Sequence, residues 1–97
     1  MIRHIVLLKF KEETSADAIE QIKASLQSMP ANIPEIADYS FGQDLCVSDN
    51  TADIGIIADF AGVEDFKTYS KHPHHVDAIR NVIKPHVAQK TAMQIEL

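Results

Sequence analysis

Alternating apolar positions mark four stretches of this chain as β-strands. Ile2–Phe10 (IRHIVLLKF) carries branched apolar residues on both alternating sets, which indicates a strand covered on both faces. Residues 36–43, 53–60 and 91–97 also alternate with period two, as is typical of strands. We therefore expect four strands, with turn residues at 48–50 between the second and the third.

Two segments between these strands have apolar residues at helical spacing. Thr14 or Ser15 can cap the first helix, and Pro30 is expected to stop it. The apolar positions of this helix are Ile19, Ile22, Leu26 and Met29. The second helical segment begins near residue 63 and continues to Pro85, and we expect Pro73 to bend and break it.

The predicted element order is βαββαβ. In a chain of 97 residues this order is typical of the ferredoxin-like α+β fold, a four-stranded antiparallel sheet with both helices on one face. A chain of this length has room for one core, so we expect a single domain over residues 1–97. The other face of the sheet is left open, and we expect a homodimer that packs through this open sheet face.

Composition and charge exclude several classes of protein. The formal net charge of −5 argues against nucleic-acid binding, which requires clustered Lys and Arg. No apolar run approaches the roughly 20 residues of a membrane-spanning helix, so no membrane partner is expected. The apolar start is too short for a signal peptide, which favours a cytoplasmic location. Cys46 is the single cysteine, so it cannot form a disulfide within the chain.

The segment Tyr69–Val76 (YSKHPHHV) holds the strongest candidate chemistry. It gathers three of the five histidines and one of the two tyrosines, residue types suited to proton transfer. Pro73 makes His72 a candidate helix cap, whereas His74 and His75 fall in the first turn of the next helix, where the helix dipole lowers a histidine pKa. His75 lies close to the apolar stripe, and His74 is expected to face water.

The same segment is a poor metal site. Adjacent helical side chains such as those of His74 and His75 project about 100° apart, so both cannot easily face one ion. No carboxylate within the segment completes a ligand set. We expect neither a metal nor a cofactor, and the structural alternative is that Tyr69 and His75 simply fill the gap between helix and sheet.

Three parts of the sequence resemble the stress-responsive α/β-barrel (Dabb) family. They are the opening residues 4–10 (HIVLLKF), Phe60 at the end of the third strand, and the element Tyr69-x-x-His72-Pro73-x-His75-Val76. The resemblance spans nearly the whole chain, and the last element is its most specific part. It implies a dimeric ferredoxin-like α+β barrel.

The resemblance also implies roles for individual residues. In olivetolic acid cyclase, a member of this family, the chemistry is an aldol cyclisation without a cofactor. By position, His75 matches the catalytic histidine, Tyr69 the catalytic tyrosine and His4 a pocket histidine; we place His72 with His4 in the substrate pocket. Where the cyclase has a histidine near the start of its third strand, this sequence has Ile54.

Three hypotheses for function remain open at this point. The first is a pocket for a small, partly apolar carbonyl or phenolic ligand, with cofactor-free acid/base catalysis of the aldol or cyclase type. The second is a non-catalytic, stress-associated or ligand-binding homodimer. The third is a cofactor-free monooxygenase of the dimeric barrel type. Whether the chain is an enzyme is left undecided.

Overall fold

The predicted element order is confirmed by the computed structural model, which describes all of residues 1–97. The four strands are β1 (Ile2–Phe10), β2 (Asp38–Gln43), β3 (Ile54–Phe60) and β4 (Val87–Glu96). The helices are α1 (Ala16–Gln27), α2 (Met29–Asn32), α3 (Val63–Lys71) and α4 (Pro73–Ala78). A π-helical turn (Ile79–Ile83) and a 3₁₀ turn (Lys84–His86) connect α4 to β4.

The strands form one antiparallel sheet in the order β2-β3-β1-β4. β1 is central, and its Ile5 lies opposite Ile57 of β3 and Met93 of β4. β2 and β4 are the two edge strands. The sheet therefore has the predicted ferredoxin-like topology, in which the first and last strands of the chain are neighbours.

All helices pack on one face of the sheet, as predicted. One core cluster joins Ile22 and Leu26 of α1 to the side chains of Val6 and Ile56 on the sheet. A second cluster is built around Phe60, Tyr69, Met29, Ile33 and Ala58. The first cluster lies under α1 and the π-helical turn, and the second lies under α2 and α3. Together they fix the positions of the helices that carry the candidate residues.

Helix α1 begins as predicted but ends earlier. The hydroxyl of Ser15 accepts a hydrogen bond from the backbone N–H of Ala18 at 3.1 Å, which makes Ser15 the N-cap. The helix stops at Gln27 rather than at Pro30, and Pro30 lies in the first turn of α2, where its missing N–H costs nothing. Met29, predicted as part of α1, begins α2 and is buried.

The second helical segment is broken at Pro73, as predicted. His72 has extended backbone dihedrals (φ −61°, ψ 134°), which end α3 and allow α4 to begin at Pro73 in a new direction. The ring Nδ1 of His72 accepts a hydrogen bond from the backbone N–H of His74 at 3.1 Å. His72 is therefore the N-cap of α4, and the break sets the orientation of the following histidines.

Two strands, β2 and β4, begin at positions that differ from the prediction. β2 begins at Asp38, two residues later than expected, and β4 begins at Val87, four residues earlier than the expected Thr91. β4 can start early because its residues pair directly with β1, from Val87 opposite Phe10 to Glu96 opposite Ile2. Backbone pairing with a long central strand decides this boundary, and no local signal in residues 87–90 marks it.

Within a single chain the sheet is covered on one face only, so the chain's own helices do not cover both faces of β1 as expected. Its helix-facing residues, such as Val6 and Leu8, are buried, whereas Leu7 on the other set is 45% exposed. The apolar residues of the open sheet face are Ile5, Leu7, Ile57, Met93 and Ile95, of which Ile57 is 40% and Met93 54% exposed, and the Arg3–Asp59 ion pair lies on the same face. These residues form an apolar band across three strands.

Candidate functional site

A cavity of about 560 Å³ lies between the helices and the β1–β4 half of the sheet. Its size falls within the roughly 300–1,000 Å³ that small-molecule pockets occupy. Of the 17 residues that line it, 11 are hydrophobic, Tyr69 among them. The other six are His4, Ser70, His75, Lys84, Lys90 and Gln94. The cavity is therefore apolar with a small set of polar groups.

His75 is held in a defined tautomer at the cavity wall. Its Nδ1 lies 3.2 Å from the carbonyl oxygen of Ser70, and a carbonyl oxygen can only accept. Nδ1 therefore carries the hydrogen, and in the neutral ring Nε2 keeps a lone pair with no partner in the chain. This bond joins the two helices across the break at Pro73, since Ser70 lies in α3 and His75 in α4.

The pKa of His75 is lowered from its ordinary value, mainly because burial disfavours the charged ring. The hydrogen bond to Ser70 acts in the opposite direction, and the positive charge of Lys90 lowers the pKa further. The direction agrees with the prediction from the sequence, although the leading cause is burial rather than the helix dipole. A neutral His75 at neutral pH has the protonation state that a general base needs.

Tyr69 lies directly against His75. The two ring centroids are 4.3 Å apart at an interplanar angle of 43°, and Tyr69 also packs on Phe60 at 4.9 Å. Tyr69 is buried, with 4% of the residue exposed, and no hydrogen bond to its hydroxyl contributes to its pKa. Burial raises the pKa of Tyr69 to about 12, so the hydroxyl stays protonated and can donate.

His4 projects into the same cavity from the middle of the sheet. Its ring lies 6.0 Å from that of Tyr69 and 4.9 Å from that of Phe66. Its Nδ1 lies 2.7 Å from Oε1 of Gln94, the residue opposite it on β4. Nδ1 donates to this oxygen, which leaves Nε2 unprotonated. Burial lowers the pKa of His4, so a second neutral imidazole faces the cavity.

The other two histidines of the segment lie outside this cavity. His72 caps α4 and is not among the residues that line the cavity. His74 was expected to face water, but it is half-buried and its Nε2 lies 2.8 Å from the hydroxyl of Ser28. Because that hydroxyl donates to the carbonyl of Ser25, His74 Nε2 is the donor. This bond attaches α4 to the end of α1.

Gln94 and Lys90 were missed by reasoning from the sequence. On β4, Met93 and Ile95 lie on the open sheet face. The opposite set, Lys90, Ala92 and Gln94, lines the cavity. No local signal marks these residues, because His4 and Gln94 become neighbours only through the register of β1 and β4.

Tyr39 is a further polar group beneath the helices. It lies on β2, packs against both core clusters, and its hydroxyl is buried without a hydrogen-bond partner. Burial, with a smaller contribution from Tyr69, raises its pKa. Tyr39 does not line the cavity, so it forms part of the layer behind Tyr69.

The arrangement brings together two neutral imidazoles and one phenol at an apolar cavity. An imidazole lone pair can accept a proton, and a phenol O–H can donate to a developing oxyanion. Nowhere in the chain do three or more His, Cys, Asp or Glu side chains lie close enough to hold a metal ion. No helix is both long enough and apolar enough to cross a membrane.

Known structures share this fold across nearly their whole length. A dimeric ferredoxin-like protein of unknown function from Thermobifida fusca YX is 36% identical, with a TM-score of 0.91 over 99% of this chain and 90% of that one. The hydroxynitrile lyase of Passiflora edulis is 21% identical, with a TM-score of 0.86 over 99% of this chain and 92% of that one.

An antibiotic biosynthesis monooxygenase is 12% identical, with a TM-score of 0.79 over 100% of this chain and 98% of that one. At such identities, the lyase and the monooxygenase show a shared fold alone. A comparison with curated proteins found no match. The sequence profile of the stress responsive A/B barrel domain, Dabb, matches residues 2–97. The chain therefore belongs to the stress responsive A/B barrel (Dabb) domain family.

Proposed function

We propose that the cavity binds a small, partly apolar carbonyl or phenolic compound and that His75 and Tyr69 catalyse proton transfer on it without a cofactor. One observation carries the proposal. The bond from His75 Nδ1 to the Ser70 carbonyl leaves Nε2 as a free base, on a ring that packs against Tyr69, whose hydroxyl is not hydrogen-bonded within the chain. Base and donor face one apolar cavity.

The chemistry follows from these two groups. His75 Nε2 takes a proton from a carbon that lies between two carbonyl groups, and the electron pair of the broken C–H bond forms an enolate. The negative charge develops on a carbonyl oxygen, which accepts a hydrogen bond from the Tyr69 hydroxyl. The enolate then attacks a second carbonyl carbon in an aldol step, and the imidazolium of His75 returns the proton to the new alkoxide.

Proton abstraction can be tested without knowledge of the natural substrate. A 1,3-diketone in D₂O exchanges its central hydrogens, and NMR follows their loss. We expect the chain to accelerate the exchange, and His75→Ala to slow it about 100-fold. His86→Ala is the matched control, because His86 does not line the cavity. Equal rates for the wild type and His75→Ala, with both folded, would contradict the assignment.

A non-catalytic, ligand-binding role is the second candidate, and the environment of His75 is the observation that favours it. The ring is packed against Tyr69 and bonded to backbone, which is also what a structural histidine requires. This candidate predicts that His75→Ala lowers the free energy of unfolding by about 1–3 kcal/mol while no reaction is lost. The exchange experiment separates the two candidates.

We further propose that the chain forms a homodimer through its open sheet face. Leu7, Ile57, Met93 and Ile95 are each at least 36% exposed there, and an apolar band across three strands is favourable to cover. The similar Thermobifida fusca protein is described as dimeric. The cavity lies on the other face of the sheet, so dimerisation leaves it available. A cytoplasmic location stays a prediction, which cell fractionation tests.

A further inference from the structure

The cavity has a charge opposite to that of the whole chain. The protein carries 14 acidic and nine basic residues, for a formal net charge of −5. The cavity lining contains two lysines, Lys84 and Lys90, and no aspartate or glutamate. With its two histidines neutral, the cavity is a positively charged region in an acidic protein.

Neither lysine is neutralised by a partner. The ion pairs in the structure are those of Arg3 with Asp59, Lys23 with Glu20 and Lys67 with Glu64. Lys84 and Lys90 take part in none of them, and neither side chain donates a hydrogen bond within the chain. Two unpaired ammonium groups at one cavity leave a positive potential that an anion can satisfy.

Lys90 is close enough to act on the proposed catalytic groups. It stands on the cavity side of β4, opposite Leu8 on β1 and four residues before Gln94. Its charge contributes to the lowered pKa of both His4 and His75. Lys84 lies in the 3₁₀ turn that precedes β4 and lines the same cavity, and both lysines are exposed to solvent. Both cations therefore belong to the cavity that the imidazoles face.

The rest of the lining is apolar. Leu26 of α1, Ile56 of β3 and Ile79 of the π-helical turn contribute to it. A neutral polar ligand would leave the ammonium groups unpaired, and a purely ionic ligand would leave the apolar wall in contact with water. The ligand that matches both parts of the cavity has an apolar body and one negative group.

We propose that the cavity binds an organic anion, a carboxylate or an acidic enol or phenol in its ionised form, with its negative oxygen between Lys84 and Lys90 and its apolar body against the helix-facing wall. This inference rests on the proposed function, because it takes the cavity as the ligand site, and it narrows the ligand class from carbonyl or phenolic compounds in general to those that bear a negative charge. The same positive charges favour an enolate over its neutral parent, so the charge preference and the proposed proton abstraction support each other.

Matched pairs of ligands test the charge preference directly. The probes are hexanoate, 4-phenylbutanoate and 1-naphthylacetate, each beside its uncharged primary amide, and isothermal titration calorimetry measures their affinities. We expect each carboxylate to bind about tenfold more tightly than its amide. The preference should shrink when sodium chloride is raised from about 20 mM to about 500 mM, because salt screens exposed charges.

Variants of the two lysines test whether their charges cause the preference for carboxylates. Lys90→Met keeps the length of the side chain and removes its charge, and we expect it to weaken carboxylate binding about fivefold while amide binding changes less than about twofold. The Lys84→Met/Lys90→Met double variant should remove most of the preference. Lys11→Met is the control, because Lys11 is exposed and lies outside the cavity, and it should leave both affinities unchanged.

The outcomes separate this inference from the proposed function. Amides that bind as tightly as carboxylates, at a site that His75→Ala weakens, would overturn the anion preference and leave the cavity as a ligand site. A preference that persists in the double variant, or that Lys11→Met removes equally, would also overturn it. If no probe of either kind binds, both the inference and the cavity's assignment as a ligand site fail.

Discussion

The hydroxyl of Tyr69 should contribute to function and contribute almost nothing to stability. It makes no hydrogen bond within the chain, whereas its ring packs on Phe60, Phe66 and His75. Tyr69→Phe removes only the unbonded oxygen, and we expect the free energy of unfolding to stay within about 0.5 kcal/mol of the wild type, because no hydrogen bond within the chain is lost.

Tyr69→Ala measures how much the ring contributes to the free energy of unfolding. It removes a side chain that is 4% exposed from the second core cluster, and truncation of a buried aromatic residue to alanine costs about 3–5 kcal/mol. Urea denaturation followed by circular dichroism measures both variants. The two substitutions at one position should therefore differ by several kcal/mol in stability, although both lack the hydroxyl.

The diketone exchange assay measures the effect of losing the hydroxyl on proton transfer. Tyr69→Phe should lower the exchange rate about 100-fold, the cost of removing one donor from a developing oxyanion, while its unfolding curve resembles the wild type. A loss of more than about 1 kcal/mol in Tyr69→Phe would refute the reasoning, because it would mean that the hydroxyl is bonded inside the protein. An unchanged exchange rate in a stable Tyr69→Phe would refute only the proposed role of the hydroxyl in proton transfer.

Three further predictions concern pH, assembly and packing. Burial lowers the folded-state pKa of both His4 and His75 below the roughly 6.5 of an unfolded histidine. Below about pH 6.5 the unfolded state therefore binds more protons than the folded state. The free energy of unfolding should be highest above about pH 6.5 and should fall as the pH decreases toward the folded-state pKa values. Urea midpoints measured from about pH 8 to about pH 5 check this, and a His75→Gln variant should show a shallower decline. Ile57→Lys places a charge in the open sheet face, and sedimentation velocity should show a shift from dimer to monomer; an unchanged sedimentation coefficient would mean that this face is not the interface. Ile22→Ala removes a fully buried side chain of α1 and should lower the free energy of unfolding, measured by urea denaturation, by about 2–5 kcal/mol. Ile95 is exposed, so Ile95→Ala, made in the monomeric Ile57→Lys variant, should lower it far less.

The sequence predicted the fold well because its strongest signals are local. Ser15 as a helix cap, the break at Pro73 and the alternation in β1 each depend on a few neighbouring residues, and each is present in the structure. The starting points of β2 and β4 were predicted less well, because strand ends depend on pairing with a distant strand. Pro30 was expected to end α1, but it lies in the first turn of a second helix, which tolerates proline.

The candidate site could be anticipated only in part. Tyr69 and His75 were identified from their segment and from family resemblance, and they do lie at one cavity with His4. Their roles stay a prediction. His72 was placed with the pocket residues, but it caps α4, because its extended backbone points the ring at the amide of His74. Gln94 and the two lysines lie outside the segment, and nothing near them in the sequence marks them.

Residue identity and spacing alone determined the order of the elements, the break before α4 and the presence of histidine and tyrosine chemistry in one segment, because each arises from contacts within about one helical turn or a few strand residues. Tertiary structure decided which groups share the cavity. The antiparallel register sets Gln94 opposite His4 and Lys90 opposite Leu8, although more than 80 residues separate each pair along the chain. Burial by the packed helices then lowers the histidine pKa values and keeps the phenol protonated, and a local sequence pattern carries no information about that burial.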